Sequence, residues 1–291
     1  MAATTLRLED GAEIAVHVDG DGRDLLLVSG LGGTAAFWEP VVAPLRERGF
    51  RVIRFDQRGI GASTRGAGAV DIDRLAQDSL AVLEHAGSAR ALLLGHSTGG
   101  VILQAMALAE PARIAGVVLS GSWLRPNRYM AELFRSRLAI LRIAPREYAA
   151  MVAFLGYPAD WLEANWPRYE AMLAAAPMTP VQQDVVAERI EAILRFDRSG
   201  EVGRIALPVL IQGAEDDLIV PAFLQREQAR AFPGATVHMF RTGGHFFPVT
   251  RTRSSLRCWS GSPPASAECP PSPAGREVRS SGRCSRRRSG S

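Results

Sequence analysis

Residues 95–99 read Gly95-His96-Ser97-Thr98-Gly99, between an apolar run at 91–94 and a helix-like stretch at 100–109. The pentapeptide therefore predicts a sharp turn that joins a buried strand to a helix. Such a turn holds its serine in a strained conformation with the hydroxyl clear of the sheet, and side chains at Gly95 and Gly99 would crowd it. The pattern favours Ser97 as a nucleophile; the alternative is a helix N-cap made by Ser97 or Thr98.

Apolar runs that predict strands recur on both sides of this turn and alternate with helical patterns at 37–48 and 71–86. An N-terminal hairpin is predicted around Asp10-Gly11. The predicted strands lie at 6–9, 14–18, 24–28, 51–55, 91–94, 116–120, 208–212 and 235–239. Strands that alternate with helices predict an α/β fold with a mostly parallel sheet flanked by helices.

The alternation stops between about residues 122 and 198, where aromatic residues, Ala, Leu and Met are interrupted by prolines. This composition predicts several short helices inserted between two strands as a helical cap; the alternative is a packed helical layer without a pocket. Because pockets are mainly apolar, Trp123 and Trp161 are candidate substrate contacts. Arg125 is a candidate partner for a substrate carboxylate, or else a solvated cap residue.

The charge of the chain is divided unevenly. All of its 34 basic residues are arginine. Nine of them lie in residues 251–291 with only two glutamates, so this segment carries a charge of about +7, whereas the whole chain has a formal net charge of +4. The remaining 250 residues therefore carry about −3, which gives no electrostatic signature of nucleic-acid binding. No apolar stretch is long enough to span a membrane, and the N-terminus lacks a signal-peptide core, so we expect a cytoplasmic protein without a membrane partner.

Residues 251–291 also differ in composition, with eleven Ser and five Pro. Few apolar side chains remain there, so a disordered basic tail is predicted after a domain of residues 1–250. All three cysteines (Cys258, Cys269 and Cys284) lie in this tail, which leaves the body without a predicted disulfide or cysteine-ligated metal site.

A serine nucleophile needs a general base to take its proton. Of the five histidines, His245 is the candidate, because it lies in a glycine-rich loop after the last predicted strand. His96 is predicted to pack, and the other three histidines are predicted to be structural.

The base needs an acid to hold its tautomer, and Asp217 is the candidate for this role. It follows the predicted strand at 208–212 and precedes Pro221 by four residues; Asp216 is the alternative.

The loop after the predicted strand at 24–28 reads Ser29-Gly30-Leu31-Gly32-Gly33. An oxyanion needs two fixed N–H donors, for which the candidates are the backbone amides of Leu31 and Thr98. No phosphate-binding Gly-x-x-x-x-Gly-Lys-Ser/Thr pattern accompanies these glycines, and we expect no cofactor and no metal.

Residues 6–250 resemble the α/β-hydrolase superfamily, in which the chain order Ser97, Asp217, His245 is the expected one. The chain is similar within it to the pyrimidine-utilisation branch, proposed to hydrolyse aminoacrylate or carbamate. This resemblance rests on residues 29–33 with Trp38, 56–59, 123–127, 157–161 and 216–221. Some members of that branch have alanine at the position of Ser97. The fold implies a closing helix after residue 250, so we interpret the tail as the product of a reading-frame shift near Thr250; a genuine basic extension is the alternative.

The sequence thus predicts a serine hydrolase that cleaves a small amide, carbamate or ester through an acyl-enzyme. Two alternatives use the same triad: a carboxylic-ester or enol-lactone hydrolase similar to 3-oxoadipate enol-lactonases, and a carbon–carbon bond hydrolase. A non-catalytic ligand-binding protein of this fold and a damaged, unstable gene product are the others. The only partner expected is a small-molecule substrate, and no oligomeric state is predicted.

Overall fold

Eight strands form one sheet in the computed structural model, which describes residues 3–259. The strands are β1 (Thr4–Arg7), β2 (Glu13–Asp19), β3 (Arg23–Val28), β4 (Phe50–Phe55), β5 (Ala91–His96), β6 (Ile114–Ser120), β7 (Val209–Ala214) and β8 (Thr236–Phe240). Their order across the sheet is β1-β2-β4-β3-β5-β6-β7-β8. The strands from β3 to β8 pair in parallel with one another, and the two antiparallel pairs of this sheet are β1–β2 and β2–β4. The predicted α/β fold with a mostly parallel sheet is confirmed.

Helices connect the parallel strands, and helices also follow the last strand, β8. They are α1 (Glu39–Arg46), α2 (Ile72–His85), α3 (Thr98–Ala109), α4 (Arg128–Ile143), α5 (Pro145–Gly156), α6 (Ala159–Ala164), α7 (Trp166–Ala174), α8 (Pro180–Arg195), α9 (Ala222–Ala231), α10 (Phe247–Thr250) and α11 (Thr252–Trp259). Helices α4 to α8 all lie between β6 and β7, the segment in which the sequence predicted inserted helices.

Strand β3 shows why its apolar run is continuous. Leu26 and Val28 belong to one apolar cluster, and Leu25 and Leu27 belong to another, because successive side chains of a strand point to opposite faces of the sheet. Helices α2 and α3 contribute to the first cluster, and α1 contributes to the second. The sheet is therefore covered on both faces, and the carboxyl ends of its parallel strands all open at one edge, where ligands bind in open α/β sheets.

Residues 56–59, which form part of the resemblance, and the four residues that follow them have a structural role. The Asp56 carboxylate accepts backbone N–H bonds from Ala35 at 2.8 Å and Ala62 at 2.9 Å. Arg58 is fully buried and donates two hydrogen bonds to Asp78, at 2.8 and 2.7 Å. Because a buried guanidinium needs such a partner, this pair ties the segment after β4 to helix α2.

The predicted start of the disordered tail at residue 251 is wrong, because helix α11 occupies residues 252–259. Leu256 and Trp259 are buried in the cluster that contains Trp38, and the Trp38 and Trp259 ring centroids lie 6.3 Å apart. Two large apolar side chains three positions apart share one helix face, and they anchor a helix whose average composition is polar. The rest of the predicted tail, residues 260–291, lies outside the described residues, and the reading-frame interpretation stays a prediction.

This packing predicts that Trp259→Ala lowers the free energy of unfolding by about 3 kcal/mol, the usual cost of removing a buried aromatic side chain. Trp259 also donates a hydrogen bond from Nε1 to the Gln212 side chain, which the variant leaves unpaired. Chemical denaturation of the full chain measures the effect. Arg253→Ala, on the exposed face of the same helix, is the control and should change stability by no more than about 0.5 kcal/mol. Equal stabilities of the two variants would contradict the packing of α11 on the domain.

Candidate active site

Ser97 lies in the turn between β5 and α3 with φ 56° and ψ −122°, and is the only non-glycine residue with positive φ among residues 3–259. A Cβ at Gly95 would lie 2.5 Å from the carbonyl of Gly99, and one at Gly99 would lie 2.1 Å from the carbonyl oxygen of Val28. Both glycines are therefore required by space, as predicted. The Ser97 side chain makes no N-cap hydrogen bond, so the alternative interpretation as a cap is wrong for Ser97. Backbone strain of this kind is typical of functional sites.

His245 and Asp217 form a buried pair. The Nδ1 atom of His245 lies 2.8 Å from Oδ2 of Asp217. The carboxylate is fixed further by backbone N–H bonds from Ile219 at 2.9 Å and Val220 at 2.8 Å, and by an amide N–H bond from Gln225 at 3.1 Å. Because an ionised carboxylate only accepts hydrogen bonds, Nδ1 carries the proton, and Nε2 is left as an acceptor.

Asp216, the alternative acid, binds the backbone of the histidine loop. Its two oxygens accept the N–H groups of Gly243 at 3.0 Å and Gly244 at 2.9 Å. Both glycines have positive φ, 148° and 63°, which other residues rarely adopt. Adjacent aspartates thus have separate tasks: Asp216 holds the loop and Asp217 holds the ring that the loop carries.

Ser97 and His245 line the same cavity, whose volume is about 650 Å³. The loop at residues 30–34 forms one part of its wall at the sheet edge, and four of the inserted helices, α4, α5, α7 and α8, contribute side chains to the rest. Among the described residues, no hydrogen bond joins the Ser97 hydroxyl to the His245 ring. Catalytic hydrogen bonds often tighten only when substrate is bound, so the shared cavity is the relevant observation.

The loop after β3 lies directly beside Ser97. A Cβ at Gly30 would lie 3.2 Å from Cβ of Ser97 and 3.6 Å from its Oγ, so the backbone at Gly30 lies close to the hydroxyl. Within residues 3–259 the N–H groups of Leu31 and Thr98 have no hydrogen-bond acceptor. Thr98 begins α3, where the first amides lack partners within the helix. Neither amide is therefore occupied by a neighbouring group, and Leu31 lines the same cavity as Ser97.

Arg189 of helix α8 holds this loop from the other side, and sequence reasoning missed it. Its Nε donates to the carbonyl oxygen of Leu31 at 2.8 Å, and its Nη2 donates to the Gln57 side chain. Complete burial lowers the pKa of Arg189 to about 10. Gln57 in turn donates to the carbonyl oxygen of Ser29 at 2.5 Å. No sequence signal distinguishes Arg189 from the many arginines on exposed helix faces.

His96 packs within the site, as the sequence predicted. Its ring stacks on Phe37 at 5.2 Å and lies 4.8 Å from the His245 ring, measured between centroids. Its Nδ1 lies 3.1 Å from the Ser120 hydroxyl. Burial, and the charge that His245 acquires on protonation, hold the pKa of His96 well below its usual range. A neutral His96 adds no repulsion when His245 becomes charged.

The three predicted substrate contacts lie outside the side chains that line the cavity, and this corrects the prediction. Trp123 is fully buried in the core beside α3, and its carbonyl accepts a hydrogen bond from Gln104 at 2.8 Å. Arg125 is exposed and lies 3.7 Å from Glu227. Trp161 stacks on Tyr157, with ring centroids 4.6 Å apart, and of these two residues Tyr157 lines the cavity and Trp161 does not.

Two further features are absent from the part of the chain that the structure describes, a metal-binding cluster and a membrane-spanning helix. There, no group of three or more His, Cys, Asp or Glu side chains is arranged to hold a metal ion. None of the helices in residues 3–259 combines the length and hydropathy needed to cross a membrane.

The sequence of the chain is similar to those of known proteins. The model of a family described as alpha/beta hydrolase fold matches residues 25–252. A protein named as carbamate hydrolase RutD from Variovorax paradoxus is 38% identical over 238 residues, which cover 81% of this chain and 89% of that protein. The protein of the same name from Caulobacter vibrioides is 33% identical over 254 residues, 86% of this chain and 94% of its own.

Solved structures show the same similarity. The enol-lactonase from Burkholderia xenovorans superposes with a TM-score of 0.81 and 25% identity, covering 89% of this chain and 98% of the enol-lactonase. A hydrolase from Pseudomonas aeruginosa superposes with a TM-score of 0.79 and 28% identity, covering 89% of this chain and 96% of that one.

Proposed function

The chain belongs to the α/β-hydrolase fold family and is a hydrolase, and from this premise we propose that Ser97, His245 and Asp217 form its catalytic triad. The observation that carries the proposal is the buried 2.8 Å contact between His245 and Asp217, on the wall of the cavity that also contains the strained Ser97. The three roles follow from the groups that each side chain contacts.

In the proposed mechanism Nε2 of His245 takes the proton of Ser97 as the hydroxyl oxygen attacks a substrate carbonyl. Asp217 holds the imidazole tautomer and stabilises the imidazolium that forms. The free amides of Leu31 and Thr98 donate to the oxyanion, and Arg189 supports the loop that carries the first of them. His245 then protonates the leaving group, which departs and leaves an acyl-enzyme. A water molecule deprotonated by His245 hydrolyses this intermediate, and the proton returns to Ser97.

We assign a small carbamate, amide or ester as the substrate. The support is the sequence identity of 38% to a protein named as a carbamate hydrolase, together with a cavity of about 650 Å³, a size typical of small-molecule sites. The similarity to a solved enol-lactonase favours a second candidate, hydrolysis of an ester or enol-lactone by the same triad.

Intact-mass labelling with a fluorophosphonate tests the triad, because this probe reacts with an activated serine. The wild type should gain one adduct, and Ser97→Ala should gain none while still unfolding cooperatively on heating. A folded wild type without an adduct would contradict the proposal and favour a non-catalytic protein. The kcat/KM values of a carbamate and an amide of matched size, compared with those of an ester and an enol-lactone, then separate the two substrate candidates.

A further inference from the structure

Arg137 of helix α4 is a buried arginine on the cavity wall, and nothing in the sequence analysis identified it. Only 5% of the residue is exposed, and it lines the cavity together with Ser97 and His245. Its Nη2 donates to the Tyr148 hydroxyl at 3.0 Å, and its buried Nε has no hydrogen-bond partner. Among the described residues, no carboxylate oxygen lies within 4.0 Å of the Arg137 guanidinium nitrogens, so Arg137 forms no ion pair there. The guanidinium is therefore a cation without an anion.

Each of the other buried arginines in the described residues donates to at least two oxygen atoms, whereas Arg137 donates to one, although only Arg58 and Arg54 have a carboxylate partner. Arg58 pairs with Asp78 at 2.7 Å, and Arg54 pairs with Asp19 at 3.2 Å. Arg189, which does not line the cavity, is instead bound by the oxygens of Leu31 and Gln57. Since an unpaired charge is costly to bury, the isolation of Arg137 needs a physical reason.

Aromatic rings hold the Arg137 guanidinium in place. Its central carbon lies 4.9 Å from the Phe134 ring centroid and 5.1 Å from that of Tyr148. Contacts between a cation and ring faces stabilise the charge in part, but they accept no N–H hydrogen bonds. They also limit the rotamers of the side chain, so a ligand would meet a group that is already positioned.

The rest of the cavity adds no negative charge. Its lining contains two arginines, Arg137 and the half-buried Arg168, but no aspartate or glutamate. Arg168 donates from Nε to the Tyr157 hydroxyl at 3.2 Å, so each arginine is matched with a tyrosine. A tyrosine oxygen that accepts from arginine keeps its own proton as a donor. The cap side of the cavity thus offers hydrogen-bond donors and positive charge.

We propose that Arg137 and the Tyr148 hydroxyl bind a carboxylate of the substrate, so that the substrate is a small carbamate, amide or ester that also carries a carboxylate. The inference rests on the proposed triad, which acts on the carbonyl while Arg137 holds the other end. Guanidinium binds carboxylate through parallel N–H bonds, and a carboxylate supplies the anion that Arg137 lacks. Sequence reasoning assigned this chemistry to Arg125, whose exposed position beside Glu227 already gives it an anion.

Two p-nitrophenyl esters of matched shape test the proposal: the hemisuccinate, with a terminal carboxylate, and the 4-methylpentanoate, with a neutral isopropyl group in its place. The wild type should prefer the hemisuccinate. Arg137→Met should lower kcat/KM for the hemisuccinate by about 10- to 100-fold, the worth of a charged hydrogen-bonded contact, mainly through KM. The kcat/KM for the 4-methylpentanoate should change less than about 3-fold, because this ester makes no such contact. Arg135→Met on the exposed face of the same helix is the matched control and should alter neither ester.

Equal losses on the two esters would show that Arg137 only supports the cap, and would overturn the proposal. So would a wild type with no preference for the hemisuccinate, or an Arg168→Met variant that alone removes the preference. Tyr148→Phe is the second variant if Arg137→Met does not fold. Tyr148→Phe should lower kcat/KM for the hemisuccinate, but not for the 4-methylpentanoate, by about 3- to 10-fold, since one neutral donor is lost.

Binding to an inactive enzyme separates this inference from the triad. Titration calorimetry with succinamate on Ser97→Ala, and on the same protein with Arg137→Met added, measures binding without turnover. It reports on the contact between Arg137 and the ligand carboxylate, which is called the anchor below. A Kd raised about 10- to 100-fold by Arg137→Met supports the anchor even if no ester is hydrolysed. If Arg137→Met leaves the Kd unchanged while the wild-type protein still reacts with the fluorophosphonate, the anchor is overturned and the triad stays intact.

Discussion

Replacing Ser97 with alanine should lower kcat by about 10⁶-fold for any ester that the wild type hydrolyses, the loss found when a triad nucleophile is removed from a serine hydrolase. The reason is that, of the two hydroxyl-bearing residues in the strained turn, Ser97 lines the cavity and Thr98 does not. Steady-state rates with the p-nitrophenyl esters measure the loss, and KM should change little, because the hydroxyl contributes mainly to the transition state.

Ser199→Ala is the control for this variant, because Ser199 is exposed and bonds only to nearby Asp197. It should retain the wild-type rate. A Ser97→Ala enzyme that keeps more than about one-hundredth of the wild-type kcat, with no contaminating esterase, would assign the nucleophile elsewhere.

Asp217→Asn should lower kcat by about 10⁴-fold while the protein keeps its fold. An amide in place of the carboxylate presents an N–H group to Nδ1 of His245, which favours the tautomer with its proton on Nε2. That nitrogen then cannot accept the proton of Ser97. Rates at several pH values, with thermal unfolding as the check on folding, measure the effect.

Asp216→Asn provides the matched comparison, because the two aspartates are adjacent but bind different groups. The asparagine keeps one acceptor oxygen for Gly243 and Gly244 in place of two. We expect a loss of about 10-fold, equivalent to one weakened hydrogen bond that positions the loop. If Asp216→Asn cost as much as Asp217→Asn or more, the assignment of the acid would be reversed.

The strands and the Ser97 turn could be predicted because their signals are local. A strand covered on both faces needs a continuous apolar run, and residues 25–28 supply one whatever the rest of the chain does. The same holds for Gly95 and Gly99, where the backbone of the turn itself excludes a side chain. His245 and Asp217 were reached through chain order and loop composition, and the structure brings their side chains to 2.8 Å.

The cap could be outlined but its inner face could not. The sequence indicated inserted helices between β6 and β7 and suggested Trp123, Arg125 and Trp161 as contacts, yet the cavity is lined instead by Arg137 and Arg168. A helix has one face toward the cavity only after its neighbours have packed, and those neighbours come from distant parts of the chain. Apolar and charged residues alternate along these helices in ways that suit several orientations.

The sequence by itself determined the parallel sheet, the glycine-bounded turn at Ser97 and the order of the three triad candidates, because each depends on neighbours within a few residues or on chain order. Only the tertiary structure decided which arginines line the cavity, that Arg189 holds the loop at Leu31, and that Trp259 anchors a final helix. The Arg189–Leu31 and Trp259–Gln212 contacts join residues 158 and 47 positions apart, and packing chooses among side chains that the sequence presents as equivalent.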